Sequence, residues 1–158
     1  MSGARDISGD ANRVVPQIVK PILLAEDFPD DARILQTVLK KAGVLNPIFV
    51  VSDGAEALDY LKGEGFYADR TRFPLPAVLL LDLKMPKLDG FSVLEWCKAQ
   101  PFLKDMLVVV LTGHREINAV NRAYSLGAKS FLLKPCKVED VAELMQAYQE
   151  YWTHLPAA

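Results

Sequence analysis

Five short apolar stretches, each followed by a segment with helical spacing, constrain what this chain can fold into. The stretches are Ile18–Ala25, Ile48–Val51, Val78–Leu81, Met106–Leu111 and Ser130–Leu133. The third is apolar at every position, which is typical of a strand buried on both faces of a parallel sheet. Strands that alternate with helices predict parallel strands joined by right-handed crossovers, with helices on both faces. We therefore expect a doubly wound α/β fold.

The bulk composition narrows the class of protein. The chain has 158 residues and a net charge of −2, which favours one globular domain and gives no basic surface for nucleic acid or an anionic membrane. We expect tails at residues 1–18 and 153–158 around a domain at 19–152. Two cysteines without metal-ligand spacing indicate reduced thiols in a cytoplasmic protein. No apolar stretch approaches the roughly 20 residues that span a bilayer.

Four of the five predicted strands end on a charged or hydroxyl side chain. These ends carry Glu26-Asp27, Asp82, Thr112 and Lys134. Because the carboxyl ends of parallel strands meet at one edge, we expect these side chains to share one pocket. Clustered carboxylates repel one another unless a cation neutralises them, and Mg²⁺ prefers oxygen ligands. The sequence therefore predicts a magnesium site at this edge.

A carboxylate beside such a metal can act as a nucleophile toward phosphorus. Asp82 would form an aspartyl phosphate, while the metal, Lys134 and Thr112 would contact the phosphoryl oxygens. Gly113, which has no side chain, leaves room for the backbone to approach those oxygens.

The chain resembles the response-regulator receiver domain of two-component signalling over residues 19–150. The matching residues are Glu26-Asp27, Asp82, Lys84-Met85-Pro86, Asp89-Gly90, Thr112-Gly113, Phe131 and Lys134-Pro135. The resemblance implies a flavodoxin-like (βα)5 fold with strand order 2-1-3-4-5. It also implies a sensor histidine kinase as the phosphodonor, with Asp82 as the acceptor.

The resemblance assigns further roles at the expected site. Asp27, Asp82 and the backbone carbonyl of Lys84 would bind Mg²⁺, with Mn²⁺ as an alternative, and Glu26 would act mainly through water. Thr112 and Phe131 would form the conformational switch. The Lys134-Pro135 bond would be cis and would aim the lysine into the pocket.

A narrower resemblance concerns the partners. The loop Leu61–Tyr67 and the ending Tyr151–Pro156 are similar to those of stand-alone regulators that partner bacterial phytochrome kinases. No output domain is expected after Lys134, so signalling would proceed by protein binding. We predict a homodimer through the last two helices and the fifth strand, because Tyr151 and Trp152 would leave aromatic surface exposed. The alternative is that the C-terminal tail covers these aromatic residues.

Three other functions are open to a chain of this pattern. A haloacid-dehalogenase-type phosphatase or phosphotransferase would need an Asp two residues after the nucleophile, where this chain has Lys84. A flavin carrier would need a hydroxyl- and glycine-rich loop after the first strand, where this chain is acidic. A binding module with an inactive pocket would not need the matched residues. We therefore expect a phosphoacceptor, with at most self-catalysed phosphorylation and dephosphorylation, rather than an enzyme.

Overall fold

The computed structural model describes residues 19–153, except for the side chain of His114. It contains a five-stranded parallel sheet in the order β2-β1-β3-β4-β5, which confirms the predicted fold. The strands are β1 (Ile22–Ala25), β2 (Ile48–Val51), β3 (Val78–Asp82), β4 (Leu107–Thr112) and β5 (Ser130–Leu133). The helices are α1 (Pro29–Lys41), α2 (Gly54–Lys62), α3 (Gly90–Lys98), α4 (Val120–Ser125) and α5 (Val138–Ala147). None of the helices within 19–153 is long and apolar enough to cross a membrane.

The sheet separates two hydrophobic cores. Alternate residues of each strand point to opposite faces, so that Leu79 and Leu81 of β3 lie in one core and Val78 and Leu80 lie in the other. Helices α1 and α5 cover the second core, and α2, α3 and α4 cover the first. All five residues of β3 are buried, so its last residue, Asp82, is held in place by packing on both faces.

The first strand is shorter than predicted, because it begins at Ile22 and not at Ile18. Pro21 has no backbone N–H with which to continue the ladder, and its carbonyl accepts a hydrogen bond from Ala77. Residues 1–18 and 154–158, the predicted tails, lie outside the described residues. Thr153, the first residue of the predicted C-terminal tail, donates its N–H to the Asn46 side chain over 2.7 Å.

The helical spacing of apolar residues in the last helix extends to Trp152, but the helix itself ends before that residue. Helix α5 stops at Ala147, and a 3₁₀ turn at Gln149–Tyr151 follows. This turn carries Trp152 into the core that α1 and α5 share, where the side chain is 6% exposed. The prediction that Trp152 leaves aromatic surface exposed is therefore wrong, because the chain leaves the α-helical path after Ala147.

The connection from β4 to β5 contains two kinds of helix. Residues His114–Ala119 form a 3₁₀ helix, and α-helical geometry begins only at Val120. The 3₁₀ helix starts after Gly113, which has no side chain to cap the first N–H groups.

The loop between α2 and β3 is built around an arginine. The guanidinium of Arg70 donates to the backbone carbonyls of Tyr60, Leu61 and Phe73. Tyr67 and Phe73 are buried and meet edge to face, with their ring centroids 5.1 Å apart. This part of the predicted surface loop is therefore packed against the domain.

Candidate functional site

The carboxyl edge of the sheet brings the predicted acidic residues together. Glu26 follows β1 and Asp82 ends β3, and these two side chains are buried. Oxygen atoms of Glu26, Asp27 and Asp82 all lie within 4.8 Å of one another. The adjacency arises because β1 pairs with β3 in parallel register, with Ala25 opposite Leu81.

Lys134 reaches into this cluster from the end of β5. Its ammonium lies 2.6 Å from Glu26 Oε1 and 2.9 Å from Asp82 Oδ2. The Lys134–Pro135 peptide bond is cis, and the Lys134 N–H donates to the carbonyl of Thr112 over 2.8 Å.

Burial and mutual contact shift the protonation of these groups. The pKa of Glu26 is raised to about 7: burial is the largest cause and the neighbouring Asp82 adds to it, while the hydrogen bond from Lys134 opposes the rise. Burial alone would lower the pKa of Lys134, but its hydrogen bonds to Glu26 and Asp82 outweigh that effect and raise it. Lys134 is therefore a permanent cation. A second cation beside a buried carboxyl would stabilise its ionised form and so offset the cost of burying the charge.

The donor set fits a hard divalent cation. Three carboxylates, two of them buried, offer oxygen ligands at one point, as Mg²⁺ or Mn²⁺ prefers. The Lys84 N–H donates to Asp82 Oδ1 over 3.0 Å, so the loop after β3 turns back beside the cluster.

Asp31 also contacts the site and was missed in the sequence. Its Oδ2 lies 3.5 Å from the Lys134 ammonium. Asp31 lies in the first turn of α1, and its place in the acidic run that begins at Glu26-Asp27 was the signal that could have identified it.

The predicted switch residues lie on β4 and β5. Thr112 is buried, and its hydroxyl donates to the carbonyl of Gly113 over 3.3 Å. Phe131 is half-buried and packs against the core that α2, α3 and α4 cover. Their strands are neighbours, with Val110 opposite Phe131 in the register.

Two glycines let the loops around Asp82 close upon each other. A Cβ on Gly90 would lie 2.7 Å from the carbonyl oxygen of Asp82, and one on Gly54 would lie 1.9 Å from the carbonyl oxygen of Leu88. Both contacts are with backbone atoms, which cannot turn aside as a flexible side chain can. Close packing against Asp82 therefore requires glycine at position 90, in addition to the turn that Asp89-Gly90 predicts.

Comparison with known proteins agrees with this geometry. Residues 22–147 match the family model of the response regulator receiver domain. The chain is 36% identical over 142 residues to response regulator Rcp1 of Synechocystis sp., covering 88% of this chain and 95% of that protein.

Solved structures of similar proteins share the fold. The bacteriophytochrome response regulator AtBRR is 40% identical with a TM-score of 0.77, covering 89% of this chain and 100% of that one. RtBRR, of the same description, is 36% identical with a TM-score of 0.78, covering 89% and 84%. The Mn(2+)-bound form of Rcp1 is 35% identical with a TM-score of 0.67, covering 87% and 99%.

These matches give no support to the phosphatase alternative. Receiver domains bind a divalent metal, and membership of the family implies a histidine kinase as partner. The chain belongs to the response regulator receiver domain family.

Proposed function

We propose that this chain accepts a phosphoryl group from a histidine kinase on Asp82 and signals through phosphorylation-dependent protein binding. The observation that carries the proposal is the Asp82 carboxylate, fixed at a buried strand end beside a permanent cation 2.9 Å away. An oxygen of Asp82 would attack the phosphorus as the bond to the donor nitrogen breaks. Mass spectrometry after incubation with acetyl phosphate and Mg²⁺ tests this, since the protein should gain one phosphoryl group.

The remaining site residues would hold the phosphoryl group in place. The Lys134 ammonium and the Thr112 hydroxyl would contact its oxygens, and the Gly113 backbone would approach them. Glu26, Asp27, Asp82 and the carbonyl of Lys84 would hold Mg²⁺, which supplies neutralising charge to the transferring group when it is bound. Self-catalysed phosphorylation from small donors belongs to the same proposal.

Metal affinity should depend more on Asp27 than on Glu26. Both Glu26 oxygens are already engaged, one by Lys134 and the other by the N–H of Phe28 over 3.2 Å. We expect Asp27→Ala to weaken Mg²⁺ binding by about tenfold or more, and Glu26→Ala to weaken it less. Calorimetric titration measures both, with Asp30→Ala as a control for loss of charge in the same segment. Equal losses, or a larger loss in Glu26→Ala, would contradict this assignment.

Phosphorylation would be read out through Thr112 and Phe131. A phosphoryl oxygen offers the Thr112 hydroxyl a charged acceptor, and such a bond contributes about 1.5–3 kcal/mol. Movement of Thr112 toward Asp82 would make space for the Phe131 ring. Thr112→Ala should therefore still accept the phosphoryl group but lose the amide NMR shift changes around residues 113–131. Unchanged shifts on phosphorylating the unsubstituted protein would exclude this switch.

The partner surface remains the face of α4, β5 and α5. With Trp152 buried, its exposed apolar side chains include Tyr124 on α4 and Ile117 in the 3₁₀ helix before it. We infer a homodimer through this face and a bacterial phytochrome as the kinase, since two similar structures are described as bacteriophytochrome response regulators. Both cysteines are unpaired, which supports a cytoplasmic location.

Dimer formation should depend on the state of Asp82. Beryllofluoride mimics the phosphoryl group, so sedimentation velocity with and without it should show a shift toward a dimer. A monomer under both conditions, up to concentrations on the order of 1 mM, would exclude the homodimer. This face would then be a surface for binding a different protein.

A further inference from the structure

An ion pair joins the two loops that flank Asp82. Lys84 lies in the loop after β3, and its ammonium is 2.5 Å from Glu116 Oε1 in the 3₁₀ helix after β4. The same residue donates its backbone N–H to Asp82 Oδ1. The Lys84 backbone therefore contacts the acceptor Asp82, while the Lys84 ammonium is paired with Glu116.

Glu116 is seated against the backbone next to Thr112. A Cβ on Gly113 would lie 2.7 Å from Glu116 Oε2, so the carboxylate occupies the space that the glycine leaves. The Glu116 N–H donates to the Gly113 carbonyl over 3.1 Å. The hydrogen bond from Lys84 lowers the pKa of Glu116, which favours the carboxylate form.

The helix that carries Glu116 has an unusual length for its type. It has six residues of 3₁₀ geometry, whereas runs beyond three or four are uncommon because the hydrogen-bond geometry of this helix is poorer than that of an α-helix. Lys84 is thus tied to the first turn of a segment that can readily change its helical form.

We propose that the Lys84 ammonium exchanges anions: it binds Glu116 while Asp82 is unmodified and turns to the phosphoryl oxygens once Asp82 carries them. The inference rests on the proposed function, because it takes Asp82 as the acceptor. A phosphoryl group brings up to about two negative charges and three acceptor oxygens, against the single charge of Glu116. The lysine stem is long and flexible, and the lysine side chain is 73% exposed and free to turn.

Glu116 then acts as a positioning residue with two effects. It holds the ammonium away from the acceptor before the reaction, and its release afterwards removes a tie on the 3₁₀ helix. When Asp82 gains the charge of the phosphoryl group, Lys84 turns toward it and releases the 3₁₀ helix that leads into α4.

The test compares beryllofluoride affinity at fixed Mg²⁺ by amide NMR titration in four proteins. These are the unsubstituted chain, Glu116→Gln, Lys84→Met and the double variant. Exposed ion pairs are worth at most a fewfold in an equilibrium constant, so we expect Glu116→Gln to bind about two- to fivefold more tightly and Lys84→Met to bind more weakly. The gain from Glu116→Gln should vanish in the Lys84→Met background and shrink in about 1 M salt, where the Debye length is about 3 Å.

Matched controls remove a charge from two neighbouring ion pairs without touching this one. Lys87→Met breaks a 3.4 Å contact with Asp53 from the same loop, and Glu95→Gln breaks a 4.0 Å contact with Arg122. Neither variant should reproduce the tighter beryllofluoride binding that we expect of Glu116→Gln. The side-chain NH₃⁺ signal of Lys84 should also shift on adding beryllofluoride, which a merely structural ion pair would not show.

Two results would overturn the inference while the proposed function stands. One is labelling of Asp82 by acetyl phosphate together with unchanged or weaker beryllofluoride binding in Glu116→Gln. The other is a gain that persists when Lys84 is methionine. Failure of Asp82 to label at all would instead remove the proposed function, and this inference with it.

Discussion

Asp82→Asn will abolish phosphorylation of this protein by acetyl phosphate and by its kinase. Asparagine has the same shape but no anionic oxygen, and a neutral amide cannot displace a leaving group from phosphorus under these conditions. The unsubstituted protein should gain one phosphoryl group that is stable in acid and labile in base, as an acyl phosphate is. Intact-mass spectrometry after brief incubation with the donor and Mg²⁺ measures the gain, and the variant should stay at background.

The control for this prediction comes from the same loop. Asp89 is the N-cap of α3, and its side chain accepts the N–H of Ser92 over 3.0 Å. Asparagine caps helices about as well as aspartate, so Asp89→Asn keeps the fold and removes one nearby charge. It should be labelled like the unsubstituted protein. If Asp82→Asn is labelled as well as Asp89→Asn, the acceptor is a different residue.

Much of the fold could be predicted because its signals are local. Strand β3 is apolar at each position up to Asp82, since both of its faces are buried. The parallel direction of successive strands and their right-handed connections follow from the alternation of strands and helices. The positions of Glu26, Asp82 and Lys134 at one edge follow from those two facts. The distances between their side chains agree with the predicted pocket.

The features that the sequence did not predict depend on contacts between distant segments. Trp152 fits the helical spacing of α5, and only the turn after Ala147 and the space beside α1 bring it into the core. The pairing of Lys84 with Glu116 joins loops 32 positions apart, and neither residue has a local pattern that marks it. Such details are decided by tertiary packing, to which hydrophobic periodicity is insensitive.

Gly54→Ala should destabilise the domain, although alanine is the better helix former. Gly54 is the first residue of α2 and is buried. Alanine gains at most about 1 kcal/mol over glycine within a helix. Its Cβ, however, would lie 1.9 Å from the oxygen and 2.7 Å from the carbon of the Leu88 carbonyl. Overpacking typically costs about 1–3 kcal/mol and occasionally more, and a backbone obstacle places this case at the upper end.

We therefore expect the free energy of unfolding to fall by about 2 kcal/mol or more, measured by urea denaturation. Gly65→Ala provides the comparison, because Gly65 has a φ of 59° but nothing within 4 Å of an added Cβ. It should cost about 1–2 kcal/mol through left-handed backbone strain alone.

The two glycine variants should also differ in phosphorylation. Relief of the collision at Gly54 requires Leu88 to move, and Leu88 belongs to the loop that holds Lys84 against Asp82. Gly54→Ala should therefore slow labelling by acetyl phosphate under conditions where it is folded, whereas Gly65→Ala should not. A Gly54→Ala protein as stable and as rapidly labelled as the unsubstituted chain would show that α2 does not set the position of this loop.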